Sequence, residues 1–195
     1  MKVVTLETSL FRAICHKLAL AVKEQYNPDV VIAILSGGGY VAREMLHTLN
    51  TGKDIAYGEV SACRPGNDLK QKPTTNAILA SMPRMLLDWA RMAESWILRL
   101  FPRAKHRNIS FDNLDNDTIS MLNRGNRRIL IVDDAIDSGA TMTGVINALN
   151  EQFPGNTIKT AAITVTTPQP SHKVDFKIFK NLELVRFPWS KDMKK

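Results

Sequence analysis

The sequence predicts an α/β fold, a parallel twisted sheet flanked by helices, and three observations carry that prediction. Residues 30–35 and the run Ile129, Leu130, Ile131 and Val132 are apolar without polar alternation, which suits strands covered on both faces. Each run leads into a short polar or glycine-rich turn. Each turn leads into helical spacing, through Arg43, Met45 and Leu46 in the first case and Met142, Val145, Ile146, Leu149 and Phe153 in the second. Strand, turn and helix in repeated order build a parallel sheet with covering helices.

Taken in order, Leu10, Ile14, Leu18, Val22 and Tyr26 recur at helical intervals, with Arg12, Lys17, Lys23 and Glu24 between them. This predicts an amphipathic helix over about 9–26 that covers the sheet and stops at Asn27, Pro28 and Asp29. The strand at 30–35 comes next, then the turn Ser36, Gly37, Gly38 and Gly39 and its helix. Residues 54–62 alternate loosely and predict a strand. Residues 63–75, with Arg64, Lys70 and Lys72, have no apolar anchor and predict a loop.

Residues 77–107 predict a helical insertion. Leu86, Ala90, Ala93, Ile97 and Leu100 form one stripe, widened by Trp89, Trp96 and Phe101, suited to packing on the domain or on another subunit. Asp88 and Glu94 dilute its basic side and count against a membrane surface. A polar connection and a short helix over 110–123 lead to the central strand. Beyond the helix at 142–153, residues 158–165 predict a strand, 166–170 a turn, and 191–195 a frayed tail. The whole, 1–195, reads as one domain.

Composition narrows the classes. Hydrophobic residues at 44% and charged residues at 23% are ordinary for a globular chain. The formal net charge of +7 suits a substrate carrying several phosphates. No basic stretch carries the interleaved aromatics of a single-strand platform, so no nucleic-acid partner is expected. Cys15 and Cys63 are too few for a disulfide framework, and no Cys/His pair has zinc-ligand spacing. With no apolar leader and no run near the roughly 20 residues needed to span a bilayer, a cytoplasmic protein without membrane contact is expected.

The chemistry concentrates in residues 129–141. A buried strand delivers Asp133 and Asp134, and the loop Asp137, Ser138, Gly139, Ala140 and Thr141 opens a helix. A strand-to-helix junction is an anion site: Gly139 allows close backbone approach, first-turn amides point outward, and Ser138, Thr141 and Thr143 add hydroxyls. Ionised Asp133 and Asp134 only accept hydrogen bonds, so they suit sugar hydroxyls, a metal ion, or both. Phosphate beside a vicinal diol describes a phosphorylated ribose. A receiver domain also has a strand ending in two acids, but too little chain follows Asp133 here. The DSGA letters of an aspartic protease belong to an all-β fold, whereas this loop enters a helix.

These thirteen positions resemble the phosphoribosyl pyrophosphate (PRPP) signature of the type I phosphoribosyltransferases. The resemblance implies that fold, with a small hood and a helical insertion. It places Asp133 and Asp134 on the ribose hydroxyls and on Mg²⁺, directly or through ribose or water, and Asp137, Ser138, Gly139, Ala140 and Thr141 around the 5′-phosphate. It makes Ser36, Gly37, Gly38 and Gly39 the pyrophosphate turn, where a cis peptide is often found, and the loop at 63–75 a cover over the site. The family often has Lys or Arg just before the Gly-Gly pair, where this chain has Gly37.

The hood and base-binding segment, about 167–190, resembles the 6-oxopurine branch. A Lys ahead of x-Asp-Phe, here Lys173, is implied to donate to the exocyclic O6 of the base, and Val185 joins it in the base-binding set. The aromatic that usually stacks on the base aligns with Leu184, which leaves Phe187 and Trp189 as candidates for that role. The implied reaction transfers the phosphoribosyl group from PRPP to a nucleobase, releasing pyrophosphate, with Asp137 as catalytic acceptor of a base proton and Mg²⁺ as cofactor. A homo-oligomer, dimer or tetramer, is expected. Two other readings stand beside it: a non-catalytic sensor of PRPP or nucleotide, and a pyrimidine or orotate phosphoribosyltransferase.

Overall fold

The computed structural model describes residues 2–63, 108–179 and 183–190. The predicted cationic loop with Arg64, Lys70 and Lys72, the insertion with Trp89 and Trp96, and the tail 191–195 lie outside them. Backbone proximity divides the chain into residues 1–62 with 109–195, and residues 63–108. The first unit holds every described helix and strand, apart from Cys63 and Asn108 at the ends of two strands.

The described elements are β1 (Lys2–Thr5), α1 (Thr8–Gln25), β2 (Val30–Ile34), α2 (Gly37–Leu49), β3 (Ala56–Cys63), β4 (Asn108–Ser110), α3 (Asn116–Asn123), β5 (Arg128–Ile136), α4 (Ala140–Gln152), β6 (Thr157–Val165), β7 (Phe176–Phe179) and β8 (Glu183–Arg186). The main sheet has the order β4-β3-β2-β5-β6-β7. Its pairs β2 with β3, β2 with β5, β5 with β6 and β6 with β7 are parallel.

The unalternated apolar runs have the predicted cause. On one face Val31, Ala33, Leu130, Val132, Ala161 and Ile163 pack with Phe11, Leu18, Val41 and Met45 of α1 and α2. On the other, Val30, Ile32, Ile129 and Ile131 pack with Leu122 of α3 and Met142, Val145 and Leu149 of α4. With helices on both faces, Val30–Ile34 and Ile129–Val132 are buried throughout, and each large side chain so buried contributes about 1.5–3 kcal/mol.

Of the expected stripe Leu10, Ile14, Leu18, Val22 and Tyr26, all but Leu10 are buried, so α1 packs by the predicted face. Its buried side carries Phe11, Ile14, Cys15, Leu18, Ala19 and Val22, while Leu10 is 46% exposed. Phe11 takes a core position instead, 4% exposed and packed in the same cluster as Val31 and Val132.

Four strands, β1, β4, β7 and β8, have no counterpart among the strands read from the sequence. β4 pairs at the sheet edge, and β1 joins β8 in a separate parallel two-stranded sheet, Val3 opposite Leu184 and Val4 opposite Val185. The predicted hood segment is therefore divided: β7 completes the main sheet, and β8 pairs with the amino terminus.

The amino-terminal edge of the sheet is closed by polar groups. Asp29 accepts from Lys53 Nζ at 2.6 Å and from the Arg128 amide at 2.8 Å. Tyr26 Oη donates to the carbonyls of Ile129 at 3.1 Å and Thr157 at 2.6 Å. Burial pushes the Asp29 carboxyl up, but the Lys53 and Arg128 donors outweigh it and hold the group at about 2. The opposite, carboxyl edge is left for chemistry.

Candidate active site

Strand order selects the place. From β2 the chain steps to β3 on one side, whereas β5 and β6 continue on the other, so the succession reverses between β2 and β5. The carboxyl ends of two such strands leave a crevice between diverging connections, the usual ligand position in an open α/β sheet. β2 is followed there by Leu35 and Ser36, joined by a cis peptide bond. β5 brings Asp133 and Asp134 to the same place.

The glycine turn is helical rather than a loop. Gly37, Gly38 and Gly39 form the first turn of α2, with Ser36 exposed at the cap position. Their missing side chains let α2 approach β5. A Cβ on Gly38 would stand 2.4 Å from the Val132 carbonyl oxygen, and one on Gly37 would stand 2.0 Å from Asp134 Oδ2. The first-turn amides have no helical carbonyl to bind and carry the positive end of the helix dipole, so this turn suits an anion.

β5 runs on past the predicted strand end, through both acids to Ile136. Asp133 Oδ1 accepts from the Asp134 amide at 2.9 Å, and Asp134 Oδ1 from the Ala135 amide at 2.8 Å. Burial, then repulsion from Asp134, pushes the Asp133 carboxyl well above the usual carboxylate range. Burial also pushes Asp134 up, and the Asp137 charge adds to it.

Two crowded carboxylates held in this way gain from a cation. Among the described residues no three His, Cys, Asp or Glu side chains gather to cage a metal. Mg²⁺ is commonly held by one or two carboxylates together with substrate phosphates, and Asp133 with Asp134 fits that partial donor set.

Gly139 has φ +79°, and a Cβ there would meet Ser171 Oγ at 2.9 Å and the His172 amide nitrogen at 3.0 Å. Ser138 and Ala140 are exposed, and Thr141 is half-buried in the first turn of α4. Thr143 is a correction. Its hydroxyl donates to the Gly139 carbonyl at 3.1 Å and exchanges a hydrogen bond with Ser171 Oγ at 3.2 Å, so it serves the loop itself. Asp137 is exposed, and its Oδ1 accepts from the Thr166 hydroxyl.

The base-binding candidates are placed unequally. Lys173 is exposed between anchored neighbours. Asp175 Oδ2 accepts from the amide and the hydroxyl of buried Thr160, each at 2.8 Å, while Val174 and Phe176 are buried in the two cores. Val185 packs against the core beside Val4, and Leu184 is exposed. Neither candidate stacking ring is free for a base. Phe187 is buried, and Trp189 stacks on it at 4.8 Å and on Tyr40 at 4.6 Å, with Phe11 edge-on at 5.1 Å. Three aromatic neighbours satisfy Trp189 inside the fold.

Sequence reasoning missed Thr166 and Ser171. Both stand in the polar turn after β6, where composition announces a loop but not which hydroxyl faces which group.

Comparison with known proteins fits this geometry. Residues 6–194 match the family described as phosphoribosyl transferase domain. The chain belongs to the phosphoribosyltransferase family. Solved structures similar to this phosphoribosyltransferase include a purine phosphoribosyltransferase from Pyrococcus horikoshii, with TM-score 0.62, 21% identity, and coverage of 98% of this chain and 96% of that one. A Helicobacter pylori xanthine-guanine-hypoxanthine phosphoribosyltransferase has TM-score 0.59 and 14% identity over 98% and 96% of the two chains. A Neisseria gonorrhoeae protein with bound ppGpp has TM-score 0.60 and 14% identity over 97% and 89%. At such identities the likeness is one of fold. No curated protein sequence matches. Among the described residues of this phosphoribosyltransferase, no helix is long and apolar enough to cross a membrane.

Proposed function

We propose that this phosphoribosyltransferase moves the 5-phosphoribosyl group of PRPP to a ring nitrogen of a 6-oxopurine, with release of pyrophosphate. The observation that carries the reading is the meeting of Asp133 and Asp134 with the α2 glycine turn beside the Gly139 loop. One place offers acceptors for a diol and two helix starts for two phosphate groups.

Leaving-group departure puts positive charge on the ribose and negative charge on pyrophosphate. Asp133 and Asp134 hold the ribose hydroxyls, each charge-assisted bond contributing about 1.5–3 kcal/mol. The turn from Ser36 to Gly39 takes the pyrophosphate, and the loop from Asp137 to Thr141 takes the 5′-phosphate. Bound Mg²⁺ supplies Lewis-acid neutralisation of the leaving group. Asp137, oriented by Thr166, accepts the proton released by the incoming base. Lys173 donates to O6, a choice that favours a carbonyl over the amino group of adenine. The reading places the enzyme in the cytoplasm as a dimer or tetramer.

The test is pyrophosphate release from PRPP and Mg²⁺ across hypoxanthine, guanine, xanthine, adenine, uracil and orotate. Release with the 6-oxopurines alone is the expected result, and preference for orotate or uracil assigns a pyrimidine enzyme instead. A second reading is a nucleotide sensor, favoured by the fold likeness to a protein holding ppGpp. Binding of PRPP or nucleotide without release from any base selects it.

A further inference from the structure

Residues 171–175 cross from the phosphate loop to β6, and almost every position is tied down. The Ser171 amide donates to the Ser138 carbonyl at 2.8 Å, and its hydroxyl bonds Thr143 at 3.2 Å. His172 Nε2 lies 3.2 Å from Thr160 Oγ1. Val174 is 4% exposed, and the Asp175 amide donates to Thr160 Oγ1 at 3.2 Å while its carboxylate receives both Thr160 donors. Lys173 is exposed, as are Ser171 and Asp175, whose polar groups are bonded within the fold.

Its backbone is thus held at one end by the loop that opens α4 and at the other by the sheet. Gly139 adds the closeness that makes the first anchor tight: a Cβ there would collide with Ser171 and His172. Any adjustment of the loop around an anion must pass into Ser171, because the two share a backbone bond and a side-chain bond. The far end is tied to Thr160 of β6 through His172 and Asp175.

We propose that residues 171–175 form a strap through which the occupied phosphate loop sets the position of Lys173, with Ser171 as the positioning residue. This rests on the phosphoribosyl reading of the site and deepens it. Phosphate and base are then recognised as one unit at a fixed separation, and a nucleotide gains more than the sum of its parts. Ser171 touches neither reacting atom; it acts through Lys173.

The experiment measures, by calorimetry, binding of inosine 5′-monophosphate and of ribose 5-phosphate to the wild type, Ser171→Ala, Ser171→Thr, Thr143→Val and the Ser171→Ala/Thr143→Val double variant. Loss of one hydrogen bond predicts that Ser171→Ala weakens the nucleotide about three- to tenfold while ribose 5-phosphate stays within about twofold. Ser171→Thr, which keeps the hydroxyl, restores the affinity. Because the two hydroxyls bond each other, the double variant is no weaker than Thr143→Val within about twofold, the mark of shared coupling. Equal weakening of both ligands reduces Ser171 to a part of the phosphate loop and overturns the proposal, as does no change in either or additive losses. A wild type that binds neither ligand overturns the phosphoribosyl reading itself and the strap with it.

Discussion

The Asp134 carboxyl group occupies the space in which a side chain on Gly37 would lie, its Oδ2 2.0 Å from where that Cβ would stand. The family pattern often has a long cation just before the paired glycines. Here that position is Gly37, and the space beside it is filled by the Asp134 carboxyl. On the proposed reading pyrophosphate is held by amides and Mg²⁺, with Asp134 beside the turn.

Gly37→Ala is therefore expected to displace Asp134, and PRPP affinity should fall about 10- to 100-fold, as for loss of one hydrogen bond to a charged group. Calorimetry with Mg²⁺ present measures it, and Gly37→Lys should do no better. Gly38→Ala is a different case, since its Cβ would meet the Val132 carbonyl at 2.4 Å and backbone cannot step aside. That variant is expected to lose about 1–3 kcal/mol of stability in urea unfolding.

Asp137→Asn should lower kcat about a hundredfold or more while PRPP affinity stays nearly intact, because only proton acceptance is removed. Thr166→Val leaves the carboxylate but removes the hydroxyl that orients it. A smaller fall in kcat, again without a change in PRPP affinity, is expected in steady-state assays. Full activity in Asp137→Asn removes this residue from the chemistry.

The polar closure at the other end of the sheet gives a pH dependence. The folded-state value of Asp29 is about 2, below the ordinary 3.8, so the folded protein favours its charged form. That stability is present above about pH 4, declines as pH falls, and is lost as pH passes through about 2. Asp29→Asn should cost about 1–3 kcal/mol at pH 7, because Lys53 and Arg128 lose a charged acceptor. In urea titrations the gap between wild type and variant should narrow below pH 4; a gap constant with pH contradicts the assignment.

Trp189→Ala separates packing from base recognition. A tryptophan stacked on Tyr40 and Phe187 contributes to the fold, and its truncation is expected to cost about 2–3 kcal/mol, part of the ring being exposed. Base KM should change less than about twofold once the variant is assayed well below its Tm. A rise in base KM with stability unchanged assigns the ring to the base after all.

By itself the sequence determined the parts whose signals are local. A run of four apolar residues, two acids, a glycine loop and a 3.6-residue stripe lie within 129–153, and β5, the Gly139 turn and α4 follow from side-chain periodicity and backbone permissiveness alone. The strands at 30–34 and 157–165 and the polar turn after β6 were legible for the same reason. Tertiary structure decided what depends on partners far away in the chain. The pairing of Lys2–Thr5 with Glu183–Arg186 joins the two ends of the molecule, and four residues of weak pattern become a strand only when such a partner supplies the hydrogen bonds. The choice of Phe11 over Leu10, the seat of Asp134 against Gly37, the engagement of Thr143 with Ser171 and of Trp189 with three rings are likewise facts of packing. Periodicity names the face a side chain takes, but which atoms it meets there is fixed only when separate elements close on one another and compete for the same volume.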